Sequence, residues 1–513
     1  MANLADLVGR AASRDPGRAA LIAGGDVLSW AELDARIDRA AAAFAGLGLA
    51  RGDRVAIQLG NVVEFPVTFF GALRAGLVVV PANTGYTEPE LTTLIADSGA
   101  RLLVTSSVAA IGFAQGLDID HLVVAAPSGP DGARTLTELL ADAPADPPTT
   151  SGGDDDLAVL VYTSGTSGRP RGAMLTHRAL LANLDQCAQI TPSVLRPGEV
   201  VLLVLPMFHI YGLGPGLGML AHAGATGVLI DRFDAAATLE VMTRHRVTNV
   251  VGAPPMYVAW ARHDDPRAVT AAFAHVRLAL SGAAPLSAPT LERLEQLTSV
   301  VVQEGYGLTE TAPVLTSTLM SEVRKPLSVG RAIPGVTLEL RDEQGEPVEE
   351  DDPGEIVVRG PNLFSGYWPD GHGGPTEDGW FATGDVAYPD DDGDLYLVGR
   401  RKDLIIVSGF NVYPAEVELV LMRHPAVSEA AVVATPHEYT GEAVKAFVVR
   451  RPGATLDADD VRAWCARSLA RFKCPTQVQF VDQLPHSVIG KVRTAALRDV
   501  EDDADDDAED RAS

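Results

Sequence analysis

Lysine is nearly missing from this chain: among 41 basic residues only Lys325, Lys402, Lys445, Lys473 and Lys491 are lysines, and none precedes position 325. Positive charge is short altogether. Against 68 acidic residues the formal net charge is −27, which argues against nucleic acid as a partner and against unaided adhesion to an anionic membrane. Cysteine is equally scarce. Cys187, Cys465 and Cys474 have no metal-type spacing and cannot all pair, as expected of packing residues in a reducing cytoplasm. No apolar run approaches the ~18 residues that span a bilayer, and the first 25 residues lack an apolar segment after a basic start. Neither a secretory leader nor an integral membrane segment is therefore expected. What is present is a chain of 513 residues, 46% hydrophobic, long enough for several cores and two or three domains.

Helical and strand periodicities alternate through most of the first 400 residues, the pattern of α/β layers with parallel strands. One rhythm occurs twice. The run FFGALRAGLVVVP followed by TEPELTTLIADSGARLLVTS is echoed by LGMLAHAGATGVLI followed by DAAATLEVMTRHRVTNVVGAP, with Ala75-Gly76 matching Ala223-Gly224. Each copy predicts helix, strand, loop, helix, strand, so two related sheets are expected. The Pro-, Asp- and Gly-rich stretch 125–156 reads as a loop or linker. Short strands with turns such as DEQGEP and PDDDGD fill 320–398, and 403–497 reads as a compact α+β unit. From Glu501 to Asp510 eight of ten residues are acidic, which predicts a solvated tail without a packed core.

The most informative run is YTSGTSGRPRG at 162–172, directly after the apolar stretch Leu157–Val161. Thr163, Ser164, Thr166 and Ser167 offer hydroxyls among Gly165, Gly168 and Gly172, which leave backbone N–H groups free to approach a polyanion. Arg171 adds a fixed positive charge. No Gly-Lys-Ser/Thr follows at the spacing of a P-loop. A flexible surface turn has the same composition, but the position after a strand and the lack of acidic residues favour phosphate.

This loop resembles the signature of the adenylate-forming enzymes: acyl-CoA synthetases, 4-coumarate-CoA ligases, adenylation domains and firefly-type luciferases. SGAAPL at 281, EGYGLTET at 304, WFATGD at 380, GRRKDLIIVSGFNVYPAEVE at 399 and LPHSVIGKVR at 484 follow in the order that resemblance requires. It implies an α/β fold with a large N-terminal domain, residues 1–400, of two stacked doubly wound subdomains plus a small β-barrel. A mobile α+β C-terminal domain (401–497) and the acidic tail (498–513) follow. It also implies ATP, Mg²⁺ and coenzyme A.

The resemblance also suggests roles for individual residues. Tyr306 offers a ring to adenine, flanked by Glu304, Gly305, Gly307 and Leu308; Thr309 offers a hydroxyl to the α-phosphate, and Glu310, with Thr163, oxygen ligands to the metal. Read alone, this segment is equally a strand end with Thr309 capping a helix. Gly282, Ala283 and Ala284 let nucleobase and acyl chain approach the backbone, although the same residues also describe a tight turn with Pro285 starting a helix. Asp385, after a Gly at a strand end, suits the ribose hydroxyls. Arg400 completes the ribose and phosphate contacts, and Arg401 reads as a solvated turn residue. Lys402 takes the hinge position. Ser408, Gly409 and Phe410 belong to the loop that lines the pantetheine tunnel. Lys491 matches the adenylation lysine, whose mobile charge can follow charge migrating from carboxylate to phosphate. Arg171 stands where the family usually has Lys, so the charge is kept but its mobility is in question.

PMFHIYG at 206 bears on the substrate. His209 and Tyr211 can gate or line an acyl tunnel, with Gly212 and Pro215 in the following GLGPGLG giving room; a lone His among apolar residues is otherwise a core histidine. His209 stands where amino-acid-activating domains carry an Asp for the ammonium, which disfavours an amino acid. The expectation is an ATP-dependent acyl-CoA synthetase for a medium- to long-chain fatty acid, using Thr163, Arg171, His209, Glu310 and Lys491. Alternatives are an aryl-CoA ligase of 4-coumarate type, an acyl-AMP ligase loading a carrier protein, a luciferase-like oxygenase and a non-catalytic sensor. Partners are the acid, ATP and CoA; a homodimer is left open.

Overall fold

The computed structural model describes residues 3–113, 116–126, 133–144, 153–163, 170–349, 352–408, 410–437, 439–486, 492–494 and 496–497. The acidic tail, Gly409, Lys491 and residues 164–168 of the phosphate loop lie outside them.

Two large sheets carry the first 330 residues. In the first, the strand order is Arg134–Thr135, His121–Val124, Ala100–Thr105, Arg54–Gln58, Val78–Pro81, Leu157–Thr163 and Arg171–Thr176. All neighbours are parallel except the last pair. In the second, five parallel pairings join Ala19–Ala23, Thr226–Leu229, Val200–Leu203, Asn249–Gly252, Leu278–Ser281 and Val302–Gly307. Antiparallel strands close both edges.

The repeat legible in the sequence is a repeat of topology. Arg54–Gln58 pairs with both Val78–Pro81 and Ala100–Thr105, and Val200–Leu203 pairs in the same way with Thr226–Leu229 and Asn249–Gly252. In each copy a glycine with positive φ, Gly76 at 76° and Gly224 at 66°, ends the helix before the second strand. One continuous core extends from Leu4 to Ala387, built on Phe65, Phe69 and Phe70 in one lobe and Trp260 packed edge-on against Phe233, Tyr257 and Phe273 in the other.

Asn61 fastens the lobes together. It follows the central strand of the first sheet, is 4% exposed, and donates its amide to the carbonyls of Leu203 and Leu205 at 3.2 and 2.9 Å. Its side-chain oxygen accepts from Met207 N–H at 3.0 Å, and its own N–H donates to Asp231. Carbonyls and an N–H at the end of a buried parallel strand need partners, and Asn61 supplies them from the opposite lobe.

The expected linker at 125–156 contains structure: among its described residues, Arg134–Thr135 joins the first sheet and Leu136–Ala141 is a helix. Thr135 and Glu138 form a reciprocal capping box, a Thr-x-x-Glu signal that the Pro/Asp/Gly composition hid. The small β unit is an antiparallel sheet of Thr337–Arg341, Gly354–Arg359, Phe381–Pro389 and Leu395–Arg400. Beyond it, Val427–His437 and Gly441–Arg450 form a long hairpin with its own core around Val417, Val432 and Val448.

Gly330 marks the join to the small sheet, where it bridges Leu395. Its φ is 74°, and a Cβ there would lie 2.1 Å from the carbonyl oxygen of Ser317. Gly330→Ala combines a left-handed cost of ~1–2 kcal/mol with a backbone collision. We expect a loss of at least ~2 kcal/mol of stability, read as a lower denaturation midpoint; an unchanged midpoint would show that the backbone relaxes freely.

Candidate active site

A cavity of about 710 Å³ opens where the strands of both lobes end, the usual ligand position in doubly wound sheets. At its polar end, the phosphate hairpin contributes Thr163, the last residue of its outgoing strand, and Arg171, the first of its returning strand. The second lobe contributes the strand Val302–Gly307 and the short turn Thr309–Thr311. Gly305 and Gly307 are glycines for a local reason. A Cβ would fall 2.7 Å from Thr316 O at the first and 1.9 Å from Pro313 O at the second, so the hairpin to Val314–Ser317 could not close.

Glu310 is 8% exposed and its Oε1 accepts from the Tyr367 hydroxyl at 2.6 Å. Tyr306 donates to Asp385 Oδ2 at 2.7 Å, and Arg400 Nε donates to Asp385 Oδ1 at 3.0 Å. Burial, then the Asp385 charge, pushes the Tyr306 phenol well above its usual range, so it remains a donor. Asp385 lies inside the strand Phe381–Pro389, not at a strand end as expected. Gly384, at φ 77°, forms an irregularity there, and its N–H is taken by Glu355. Arg401 is exposed and paired with that same Glu355 at 2.7 Å.

The other end of the cavity is apolar. Cys187, Ile190, Val194, Met219, Leu280 and Leu319 wall it, with Tyr211 and His209 at the side. His209 Nδ1 accepts from Tyr211 N–H at 3.2 Å, which leaves any ring proton on Nε2. Gly282 makes room for a side chain of the protein: a Cβ there would sit 2.9 Å from the Tyr211 ring. Gly212 admits the 206–212 turn, since a Cβ would lie 2.2 Å from Pro206 O, and it opens a π-helix, Gly212–Gly218, around Pro215. Ala283 adopts φ 73°, and the helix expected from Pro285 begins at Ala288.

Pro215, Gly282, Ala283, Glu304, Leu308, Thr309 and Arg400 also line this cavity, whereas Gly212, Ala284 and Asp385 do not. Lys402, Ser408 and Phe410 do not line it. Lys402 is exposed in the turn Arg401–Asp403, Ser408 is exposed at φ 51°, and Phe410 stacks on Phe472 at 4.7 Å within the C-terminal unit. His486 and Val492 are bridged across the segment that holds Lys491. The Arg493 charge is felt by Glu90, on the helix Glu88–Ser98 of the first lobe. Tyr367 and Asn61 escaped the sequence reading; the GY of SGYW was the one visible signal for the first.

Glu304 is 7% exposed. Its Oε1 accepts from Leu286 N–H at 3.1 Å, while Oε2 has no partner among the described residues. Burial raises its carboxyl to about 7, against the lowering pull of Leu286 N–H and Arg324. A carboxyl raised above its unfolded value binds more protons when folded, so its contribution declines as pH rises from about 4.5 to about 7. Glu304→Gln keeps the acceptor and cannot ionise. Its melting temperature relative to the parent should therefore climb between pH 5 and pH 8, and a difference flat across that range would show that Glu304 does not titrate there.

Comparison with known proteins agrees with this geometry. The family model of the AMP-binding enzymes matches residues 8–368, and that of the AMP-binding enzyme C-terminal domain matches 416–491. The chain is 35% identical to a long-chain-fatty-acid–CoA ligase of Yersinia pestis, over 97% of this chain and 94% of that one. It is 38% identical to a feruloyl-CoA synthase of Amycolatopsis sp, over 95% and 97%. Among solved structures, ATP-bound MatB from Rhodopseudomonas palustris superposes with a TM-score of 0.89 at 37% identity, covering 97% of this chain and 99% of that one; apo MatB gives 0.79. With a matched model over most of its length, this chain belongs to the AMP-binding enzyme family of adenylate-forming ligases.

Proposed function

We propose that the chain is an AMP-forming acid-CoA ligase whose acid is a medium- to long-chain fatty acid. Acid and ATP give acyl-AMP and pyrophosphate, and the thiol of CoA then displaces AMP. The observation that carries the substrate reading is the continuity of the cavity, whose apolar wall of Cys187, Ile190, Val194, Met219 and Leu280 runs into the polar end at Thr163, Thr309 and Glu310. No carboxylate stands at position 209 to hold an ammonium, which sets amino acids aside. The name and 38% identity of the feruloyl-CoA synthase support an aryl acid as the second reading.

In the first half-reaction negative charge builds on the α-phosphate as carboxylate attacks, and fixed donors at that place lower the barrier. Thr163, Thr309, Arg171 and Arg400 stand around the polar end as such donors. Asp385, fixed by Tyr306 and Arg400, suits the ribose hydroxyls. A divalent cation, when bound, would neutralise phosphate charge. Among the described residues no three acidic, His or Cys side chains gather to cage a metal, which fits an ion held by Glu310, the Thr163 hydroxyl and the phosphates themselves. Residues 1–400 would act as the adenylation domain and 401–497 as a body turning about Lys402, with Ser408, Gly409 and Phe410 brought to the acyl-adenylate in the second half-reaction. The three cysteines are unbridged and suit a reducing cytoplasm.

A pyrophosphate-release screen over fatty, aromatic and amino acids, with and without CoA, tests this. Fatty acids should give the fastest release and, with CoA, a thioester; amino-acid-dependent exchange above that of every fatty and aryl acid would sink the reading. Lys491→Ala should slow acyl-AMP formation roughly 100-fold while sparing thioester formation from supplied acyl-AMP. Lys402→Pro should do the reverse, because a fixed φ blocks the hinge. Equal loss of both steps in each variant would argue against a turning C-terminal domain.

A further inference from the structure

The segment 362–368 grips both halves of the polar end at once. Toward the turn Thr309–Thr311, Asn362, fully buried, donates its amide to Thr311 O at 2.8 Å, and Phe364 N–H donates to Glu310 O at 2.9 Å. Toward the phosphate hairpin, Ser365 N–H donates to Met174 O, Met174 N–H to Gly366 O at 3.1 Å, and Trp368 N–H to Gly172 O at 2.8 Å. The segment thus forms an isolated antiparallel bridge, Ala173 to Tyr367, on the returning limb of the hairpin and a backbone brace for the Thr309–Thr311 turn. Tyr367 lies in it and faces both. Its hydroxyl donates to Glu310 Oε1 at 2.6 Å, and the Arg171 guanidinium lies over its ring at 5.6 Å from the centroid.

We propose that Tyr367 is a positioning residue of the adenylation site, whose hydroxyl aims the Glu310 carboxylate at the metal while its ring face aims Arg171 at the phosphates. The two halves of the side chain act separately. A phenol that donates to Oε1 fixes the carboxylate plane and leaves Oε2 as the outward oxygen ligand. The ring supplies what a guanidinium uses and an ammonium uses less well, a flat π face to stack on. That accounts for an arginine at position 171, where a long lysine would swing freely.

This inference rests on the adenylation reading, and the experiment separates the two. Mn²⁺ is titrated into the protein with a non-hydrolysable ATP analogue and followed by electron paramagnetic resonance. Pyrophosphate release is measured in parallel against Mg²⁺ and ATP for the parent, Tyr367→Phe and Tyr367→Leu. Tyr367→Phe keeps the ring and loses the hydroxyl, so Mn²⁺ affinity and the half-saturating Mg²⁺ should worsen by about 10-fold, the effect of losing an outer-shell partner. Its KM for ATP and its kcat at saturating Mg²⁺ should stay within about 3-fold of the parent. Tyr367→Leu should add a rise of about 5-fold or more in KM for ATP, as loss of a desolvated cation–π contact implies. No analogue-dependent Mn²⁺ binding by the parent would defeat the adenylation reading itself. Normal parental binding with Tyr367→Phe unchanged would overturn the role of the hydroxyl. A uniform decline in metal, ATP and acid affinity with a lowered melting temperature would reduce Tyr367 to a structural brace and overturn it too.

Discussion

Asn61 joins a side chain of the first lobe to the buried strand end of the second, and the remaining geometry follows from that meeting. The three hydrogen bonds between its amide and Leu203, Leu205 and Met207 fix where the PMFHIYG turn leaves its sheet. That turn carries His209 and Tyr211 into the cavity, and Tyr211 then closes over Gly282. A second registration is needed at the far side, between the phosphate hairpin of one lobe and the Thr309–Thr311 turn of the other. The 362–368 segment provides it with backbone hydrogen bonds in both directions. Hydrogen bonds between the lobes on both sides of the cleft, over a continuous core, hold its donors in place, which is what a site relying on preorganised donors requires.

Much of this was legible in the sequence where one residue type does one job locally. The duplicated helix–strand rhythm gave two sheets, because helix-ending glycines and buried apolar strands are set by local backbone and burial. The motifs identified the polar end, since Thr163, Arg171, Thr309, Glu310 and Arg400 all reach one cavity. Contacts between segments far apart in the chain were not legible. Asn61 lies about 140 residues from its partners and Tyr367 57 from Glu310, and neither position stands out in composition. Gly305 and Gly307 line the cavity, and neighbouring carbonyls by themselves already forbid a Cβ there, a constraint set by Pro313 and Thr316. The 125–156 stretch was misread for a different reason: its loop-like composition outweighed a four-residue capping signal.

The electrostatic layout is economical for so acidic a chain. Arg171 and Arg400 are placed at the cleft and each is oriented by an aromatic or a carboxylate, Arg171 over Tyr367 and Arg400 against Asp385. Lys325, half-buried, has a different task, bridging Asp390 and Asp392 at 2.6 and 2.5 Å beside the small sheet. The basic groups at the cleft are thus already aimed.

The π-helix at Gly212–Gly218 has an evolutionary side. Such a turn carries one residue more than the α-helix into which it merges at Met219. Loss of a single codon there would restore regular α-helical winding and turn the residues of the adjoining 206–212 segment by about 100° about the axis. His209 and Tyr211, on the turn just upstream, would be re-aimed relative to the cavity wall. One in-frame deletion could therefore recast the shape of the acid chamber without disturbing the fold that carries it, a route by which close relatives could come to accept differently shaped acids.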